Sequence, residues 1–173
     1  MASCVALIPA RSGSIRVSNK NVRLLNGVPL MAYTIRAAIH SGVFDSVIVS
    51  TDSEEYAEIA ERYGAEVTMR PPEYAGAFSP DIEWVRDALA GGGYRDYFSI
   101  LRPTSPFRQP ETILRAFAEW RPAEFTSLRA MEPVKQHPAK MWVKQVNASM
   151  AVEPFWETDG VIGQPGHSSP TQY

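Results

Sequence analysis

The chain has 173 residues, of which 45% are hydrophobic and 21% charged, a composition typical of one ordinary globular domain. The formal net charge of −2 argues against broad electrostatic binding to nucleic acid or to an anionic membrane, so phosphate binding would need a local site. The single cysteine, Cys4, excludes an intramolecular disulfide and lies in an apolar run that predicts a buried thiol. No secretion signal and no apolar run of roughly 20 residues is visible, so we expect a cytoplasmic protein.

Short apolar runs alternate with helical patterns over the first 129 residues. The predicted strands cover residues 4–8, 47–49, 65–69 and 98–101, and the first and last of them are expected to be buried. The predicted helices begin near Pro29, at Asp52 or Ser53, at Pro80 with Ser79 as its cap, and at Pro110. Gly64 and Gly91 are predicted stops. This alternation predicts a three-layer α/β/α fold with a mostly parallel sheet.

The loop after the first strand, residues 10–21, carries the most informative pattern. In an open parallel sheet, ligands bind beyond the carboxyl ends of the strands. Small residues that present backbone N–H groups stand beside three cations. These residues are Ser12, Gly13 and Ser14, with Arg11, Arg16 and Lys20. The spacing fits neither a P-loop nor a dinucleotide fingerprint. The pattern predicts a phosphate site, with an ordinary solvated basic loop as the alternative.

Residues 8–21, which read I-P-A-R-S-G-S-I-R-V-S-N-K-N, resemble the N-terminal signature of acylneuraminate cytidylyltransferases, including their pseudaminic and legionaminic relatives. Further stretches match that family in order at residues 47–52, 70–71, 101–108 and 137–140. The resemblance implies the nucleotide-diphospho-sugar transferase type of Rossmann-like fold. It also implies transfer of CMP from CTP to the anomeric hydroxyl of a sialic-acid-like nonulosonic acid, with release of pyrophosphate and with Mg²⁺ as the cofactor.

The resemblance assigns roles to particular residues. It implies that Arg11 and Lys20 are the catalytic residues that hold the triphosphate, and that Lys140 binds the carboxylate of the sugar acid. The implied nucleotide-binding residues are Ala10, Arg11, Ser12, Gly13, Ser14, Lys20, Asn21, Arg70 and Arg102. Arg102 stands where some relatives have glutamine, so its role stays open.

The chain departs from the family pattern at its end. Relatives are expected to continue after residues 169–173 into a strand and an acidic Asp-x-Asp element that holds Mg²⁺. Asp52 and Asp81 remain, although Asp52 is equally suited to cap a helix, and the scattered His and Cys residues show no metal-ligand spacing. We therefore expect a C-terminally truncated chain. A non-catalytic nucleotide-binding or assembly subunit, and an enzyme of this fold that uses another base, are the alternatives.

The regular alternation ends near Arg129, and residues 130–173 contain five prolines. We predict a nucleotide-binding core at residues 1–129 and an extended excursion with short strands at residues 130–173, which serves the sugar pocket and dimerisation. Its apolar residues are hard to bury on one small domain and are typical of interfaces. We predict a homodimer with Met141, Trp142 and Phe155 near the contact. The alternative is that they cap one end of the sheet.

Overall fold

The computed structural model describes residues 3–14, 17–76, 79–91, 96–120 and 126–130, together with four short strands between Trp142 and Ile162. The chain divides into two compact units, residues 1–128 and 129–173, and each is described here by itself. None of the helices in the described ranges is both long enough and apolar enough to cross a membrane.

The first unit contains six strands and four helices in its described residues. In chain order they are β1 (Cys4–Pro9), β2 (Leu24–Leu25), β3 (Val28–Pro29), α1 (Leu30–Ser41), β4 (Ser46–Thr51), α2 (Glu54–Arg62), β5 (Glu66–Met69), α3 (Asp81–Ala90), β6 (Tyr97–Ile100) and α4 (Pro110–Glu119). A short 3-10 turn, Lys20–Val22, precedes β2. The strands β2 and β3 form an antiparallel hairpin.

The central sheet has the strand order β5-β4-β1-β6, and every pair in it is parallel. Alternate residues of β1 enter two different cores. Ala6 and Ile8 pack with α1, α2 and α4, whereas Leu7 packs with Trp84 and its neighbours on α3. Burying a large apolar side chain such as Leu7 contributes about 1.5–3 kcal/mol. The predicted parallel sheet with helices on both faces is therefore confirmed.

Residues 98–101 were predicted to form a buried strand. A strand forms there as β6, but its large apolar side chains are not buried. Phe98 is 47% exposed and Ile100 is 36% exposed, while Leu101, just beyond β6, is buried. Within the described sheet β6 pairs with β1 and forms an end of the strand order. The apolar run resembled a central strand because sequence alone does not distinguish a strand with two neighbours from a strand with one.

The predicted cap is confirmed for α2, where Ser53 was one of the two candidates, and is wrong for α3. Ser53 caps α2, because its Oγ accepts a hydrogen bond from the Tyr56 backbone N–H at 3.4 Å, so Asp52 is not the cap. Ser79 does not cap α3, since its Oγ donates instead to the Glu73 carbonyl at 3.0 Å. Pro80 occupies the N-cap position of α3 rather than its first helical position. The predicted stop after α2 is confirmed, because Gly64 adopts a φ of +88° that glycine tolerates best.

The second unit contains four short strands in its described residues. The strand β7 (Trp142–Lys144) pairs antiparallel with β8 (Val152–Pro154), and β9 (Glu157–Thr158) pairs antiparallel with β10 (Val161–Ile162). Lys140, Met141 and Phe155 lie outside the described residues, and Trp142 is described only through its backbone. The predictions of a sugar-binding lysine and a dimer contact in this region stay predictions.

Candidate functional site

The loop that follows β1 is fastened to β4 at its first residue. The backbone N–H of Ala10 donates to the Ser50 carbonyl at 2.9 Å, and the Thr51 hydroxyl donates to the Ala10 carbonyl at 2.8 Å. Ala10 has no exposed surface. Because protein partners occupy both of its backbone polar groups, Ala10 fixes the start of the loop rather than offering a free N–H to a ligand.

Asp52 holds the next part of the loop. Its Oδ1 accepts from the Ser12 backbone N–H at 2.7 Å, and its Oδ2 accepts from the Ser12 hydroxyl at 2.8 Å. Ser14 donates its N–H to the Ser12 carbonyl at 2.7 Å. Among the three small residues of the described loop, Gly13 alone keeps its backbone N–H without a bond to the described protein. Asp52 therefore sets the conformation of the predicted phosphate loop.

The far end of the loop is tied back to its beginning. Asn21 is buried, and its Nδ2 donates to the Arg11 carbonyl at 3.0 Å. Arg11 extends its guanidinium towards the Ala75 carbonyl, with 3.5 Å between Nη1 and the oxygen. Lys20 begins the 3-10 turn and is half-buried. Asn21 thus has a structural position in the loop, while the side chains of Arg11 and Lys20 supply its charge.

Arg70 lies at the end of β5 and is only 6% exposed. Its Nε donates to the Ser50 hydroxyl at 3.0 Å and its Nη2 to the Ser50 carbonyl at 3.2 Å. The guanidinium carbon stands 4.9 Å from the centre of the Trp84 ring, a cation–π arrangement. Burial lowers the pKa of Arg70 from its ordinary value, and the carboxylates of Asp52 and Asp81 oppose that shift. The guanidinium is held rigidly, as a recognition group requires.

Arg102 follows β6 and forms an ion pair with Asp81 through its Nη2 and the Asp81 Oδ2. The other Asp81 oxygen accepts from the Trp84 indole Nε1 at 2.9 Å. Arg102, Asp81, Trp84 and Arg70 are therefore joined in one chain of contacts. Both members of the ion pair are about half exposed, so the pair itself adds little stability, and its effect is to orient the indole beneath Arg70.

These residues share one edge of the sheet. The loop follows β1, Asp52 follows β4, Arg70 follows β5 and Arg102 follows β6, so all four lie at carboxyl ends of parallel strands, where this architecture binds ligands. The charges of Arg11, Asp52 and Asp81 each affect the pKa of Arg70, as expected for groups that share this edge with its guanidinium. Lys140 lies outside the described residues.

Sequence reasoning missed the roles of Asp52 and Trp84. Asp52 directly follows a buried strand, so its position at the ligand-binding edge was a usable signal, but the adjoining helix start suggested a cap. Trp84 gave no local signal, because its partner Arg70 lies on another element.

The described residues do not provide an evident metal site. No group of three or more His, Cys, Asp or Glu side chains converges within them. Each carboxylate oxygen of Asp52 and of Asp81 already accepts a hydrogen bond from a protein donor. In this part of the chain the two carboxylates are therefore engaged by protein donors and are not grouped with further acidic, His or Cys side chains as a ligand set.

Comparison with known proteins decides the family. A family model described as cytidylyltransferase matches residues 5–150. The chain belongs to the cytidylyltransferase family. It is 49% identical over 114 residues to an N-acylneuraminate cytidylyltransferase of Escherichia coli, an alignment that covers 65% of this chain and 27% of that protein. It is also 40% identical over 149 residues to a CMP-N,N'-diacetyllegionaminic acid synthase of Legionella pneumophila, covering 83% of this chain and 63% of that protein.

Solved structures support the fold of this cytidylyltransferase family member. A CMP:2-keto-3-deoxy-manno-octonic acid synthetase in complex with CTP aligns with a TM-score of 0.60 at 19% identity, over 68% of this chain and 46% of that one. The fold class and family predicted from the sequence are confirmed. The chain spans 27% and 63% of the lengths of the two curated relatives named above.

Proposed function

We propose that this protein transfers CMP from CTP to the anomeric hydroxyl of a sialic-acid-like nonulosonic acid and releases pyrophosphate. The observation that carries the proposal is the loop after β1, which is fixed by Asp52 and Asn21 and carries Arg11 and Lys20 at the ligand-binding edge of the sheet. The names of the relatives, which are CMP-sugar synthases and cytidylyltransferases, support the choice of nucleotide and sugar.

The reaction needs alignment and charge neutralisation rather than a covalent protein intermediate. The anomeric oxygen forms a bond to the α-phosphorus. The bond between the α-phosphorus and the oxygen that bridges it to the β-phosphate breaks. The electron pair of that bond leaves with pyrophosphate, and the hydroxyl proton passes to solvent. Arg11 and Lys20 would bind the phosphate oxygens as negative charge shifts to the leaving group, and Gly13 would add a backbone N–H.

The nucleoside end of CTP is proposed to lie near Arg70. Two of its nitrogens are held by Ser50, so the guanidinium is already oriented before a ligand arrives, which reduces the entropic cost of binding. Arg102 would act through Asp81 and Trp84 on the position of Arg70. Lys140 remains the proposed partner of the sugar carboxylate.

Three family properties are part of the proposal. Mg²⁺ would neutralise phosphate charge when bound, although the described residues contain no group of three acidic, His or Cys side chains to hold it. A homodimer is supported by the apolar content of residues 130–173 and by the tendency of such residues to form interfaces. A cytoplasmic location is the third.

Calorimetric titration with CTP and UTP tests the proposal. CTP should bind more tightly than UTP, because a site built around the cytosine amino group leaves its own groups unpaired with uracil. Arg11→Ala and Lys20→Ala should each weaken CTP binding by about 1.5–3 kcal/mol through loss of a charge-assisted hydrogen bond. Equal affinity for the two nucleotides would favour an enzyme that uses another base, and unchanged affinity in both variants would refute the phosphate loop.

A further inference from the structure

The first turn of α2 contacts the loop after β1 at a second point, beyond the contact between Asp52 and Ser12. The hydroxyl of Tyr56 donates a hydrogen bond to the side-chain oxygen of Asn19, with 3.3 Å between Oη and Oδ1. Tyr56 belongs to α2, and Asn19 immediately precedes Lys20 in the loop. The helix that begins after Asp52 therefore also reaches the part of the loop that carries Lys20.

The ring and the hydroxyl of Tyr56 make separate contributions. The side chain is only 1% exposed, and its ring belongs to the core that contains residues of α1 and α2. Burial, with smaller effects of Glu55 and Asp52, raises the pKa of the Tyr56 hydroxyl, so the group keeps its proton at neutral pH and remains a donor. A ring that is fixed in the core thus presents one donor to Asn19.

Asn19 sets the geometry of the short turn that carries Lys20. Its φ of +51° lies in the left-handed region, which asparagine adopts more readily than most residues. Its carbonyl accepts from the backbone N–H groups of Val22 and Arg23, at 3.1 and 3.0 Å, and so closes the 3-10 turn. A bond that fixes Asn19 therefore also fixes the backbone from which the Lys20 side chain extends.

Lysine needs such support because its ammonium is a point charge on a flexible four-carbon stem. The position of that charge depends on where the backbone is held. Holding the backbone of Lys20 before the ligand arrives lowers the entropic cost of binding. A displacement of about 1 Å from the productive geometry can cost on the order of a hundredfold in rate, so a contact that fixes this turn bears on the reaction.

We propose that the Tyr56 hydroxyl is a positioning group for Lys20, which acts through Asn19 to hold the ammonium where it meets the phosphates of the nucleotide. The proposal rests on the function proposed above, since that function makes Lys20 a phosphate ligand. The alternative is that the hydroxyl only stabilises the fold. In that case its removal would lower stability without a selective effect on nucleotide binding.

Calorimetric titration of the full chain with CTP and CMP tests the proposal. Tyr56→Phe removes the hydroxyl and keeps the ring, so the core stays filled. It should weaken CTP binding by about threefold to tenfold, whereas CMP, which lacks the β- and γ-phosphates, should bind within about twofold of its affinity for the unmodified chain. Tyr63→Phe is the matched control at the other end of α2, because its contact with Arg36 is made by the ring. It should leave both affinities unchanged.

A double-variant cycle separates the positioning of Lys20 from a general loosening of the loop. Once Lys20→Ala has removed the ammonium, adding Tyr56→Phe should weaken CTP binding by less than about twofold more. Equal factors for Tyr56→Phe in the presence and absence of Lys20 would show that the two residues act independently, and that result would refute the proposal.

Asn19→Gly tests the intermediate contact, since it removes the acceptor and glycine accepts the left-handed backbone. It should weaken CTP binding about as much as Tyr56→Phe does, and the two changes together should weaken it little further. Thermal denaturation establishes which variants are folded, and Tyr56→Phe should lower the melting temperature by less than about 4 °C. If Tyr56→Phe is unfolded, unchanged CTP affinity in folded Asn19→Gly refutes the positioning role.

The failure of this proposal is distinguishable from the failure of the proposed function. Unchanged CTP affinity in Tyr56→Phe, together with a loss in Lys20→Ala, refutes the positioning role and leaves the proposed function standing. An unmodified chain that does not bind CTP refutes the proposed function, and the positioning role fails with it. Equal losses of CTP and CMP affinity in Tyr56→Phe would also refute the positioning role, because the change would not be selective for the phosphates that Lys20 is proposed to bind.

Discussion

The contact between Asp52 and Ser12 should control both stability and nucleotide binding. Both carboxylate oxygens accept from Ser12, at 2.7 and 2.8 Å. Hydrogen bonds to charged groups contribute about 1.5–3 kcal/mol each when buried. Because both residues are only half-buried, we expect Asp52→Ala to lower the free energy of unfolding by about 2 kcal/mol in total.

The same change should weaken CTP binding, because the loop would no longer be held before the ligand arrives. If about 1–2 kcal/mol of the loss reappears as the cost of ordering the loop, CTP affinity falls about fivefold to thirtyfold. Ser12→Ala keeps the N–H bond to Oδ1 and should cost about half as much. The double variant should show a coupling energy of about 1 kcal/mol between the two residues.

Asp45 provides a matched control, since its Oδ2 accepts from the Cys4 backbone N–H at 2.7 Å at the opposite end of β1. Asp45→Ala should also lower stability but should leave CTP affinity unchanged. Thermal denaturation and calorimetry measure the two effects separately. Unchanged CTP affinity in Asp52→Ala, or an equal loss of affinity in Asp45→Ala, would contradict the proposed role of Asp52.

Two further predictions concern Trp84 and Cys4. Trp84→Phe keeps a ring beneath Arg70 and should lower CTP affinity by less than about threefold. Trp84→Leu removes a desolvated cation–π contact of about 1–2 kcal/mol, so it should lower CTP affinity by about fivefold to thirtyfold. Equal CTP affinities in the two variants, measured by calorimetry, would show that the ring does not position Arg70. Burial, with a smaller effect of Asp45, raises the pKa of the Cys4 thiol. The resulting contribution to stability is present below the ordinary thiol pKa and is lost as the pH rises through the raised value. Alkylation with iodoacetamide should be slow in the native chain and fast in urea at the same pH, and equal rates would refute the burial of the thiol.

The central strands and their helices were predictable because their signals are local. The apolar run of β1 and the Ser53 cap before α2 lie within a few residues of the elements that they define. The phosphate loop was recognisable for a similar reason, since small residues and cations directly follow a buried strand. These local patterns were enough to predict the parallel sheet and to locate the candidate site at its carboxyl edge.

The details of the site were not predictable because they depend on contacts between distant residues. Asp52 and Ser12 lie 40 residues apart, and Arg70 meets Trp84 only when α3 packs on the sheet. A sequence shows Asp52 next to a helix start, where a cap is the simplest interpretation. The exposure of Phe98 likewise depends on which strands surround β6. Tertiary contacts therefore decided the roles of residues whose local patterns permitted two readings.

Phosphorus NMR of the products tests the proposed activity most directly. The chain is incubated with CTP, Mg²⁺ and a nonulosonic acid such as N-acetylneuraminate or its legionaminic relative, and the phosphorus signals are followed over time. We expect a CMP-sugar phosphodiester and pyrophosphate to appear in equal amounts, and both to be lost in Lys20→Ala. Release of inorganic phosphate without a CMP-sugar, or product formation that is unchanged in Lys20→Ala, would contradict the proposed activity.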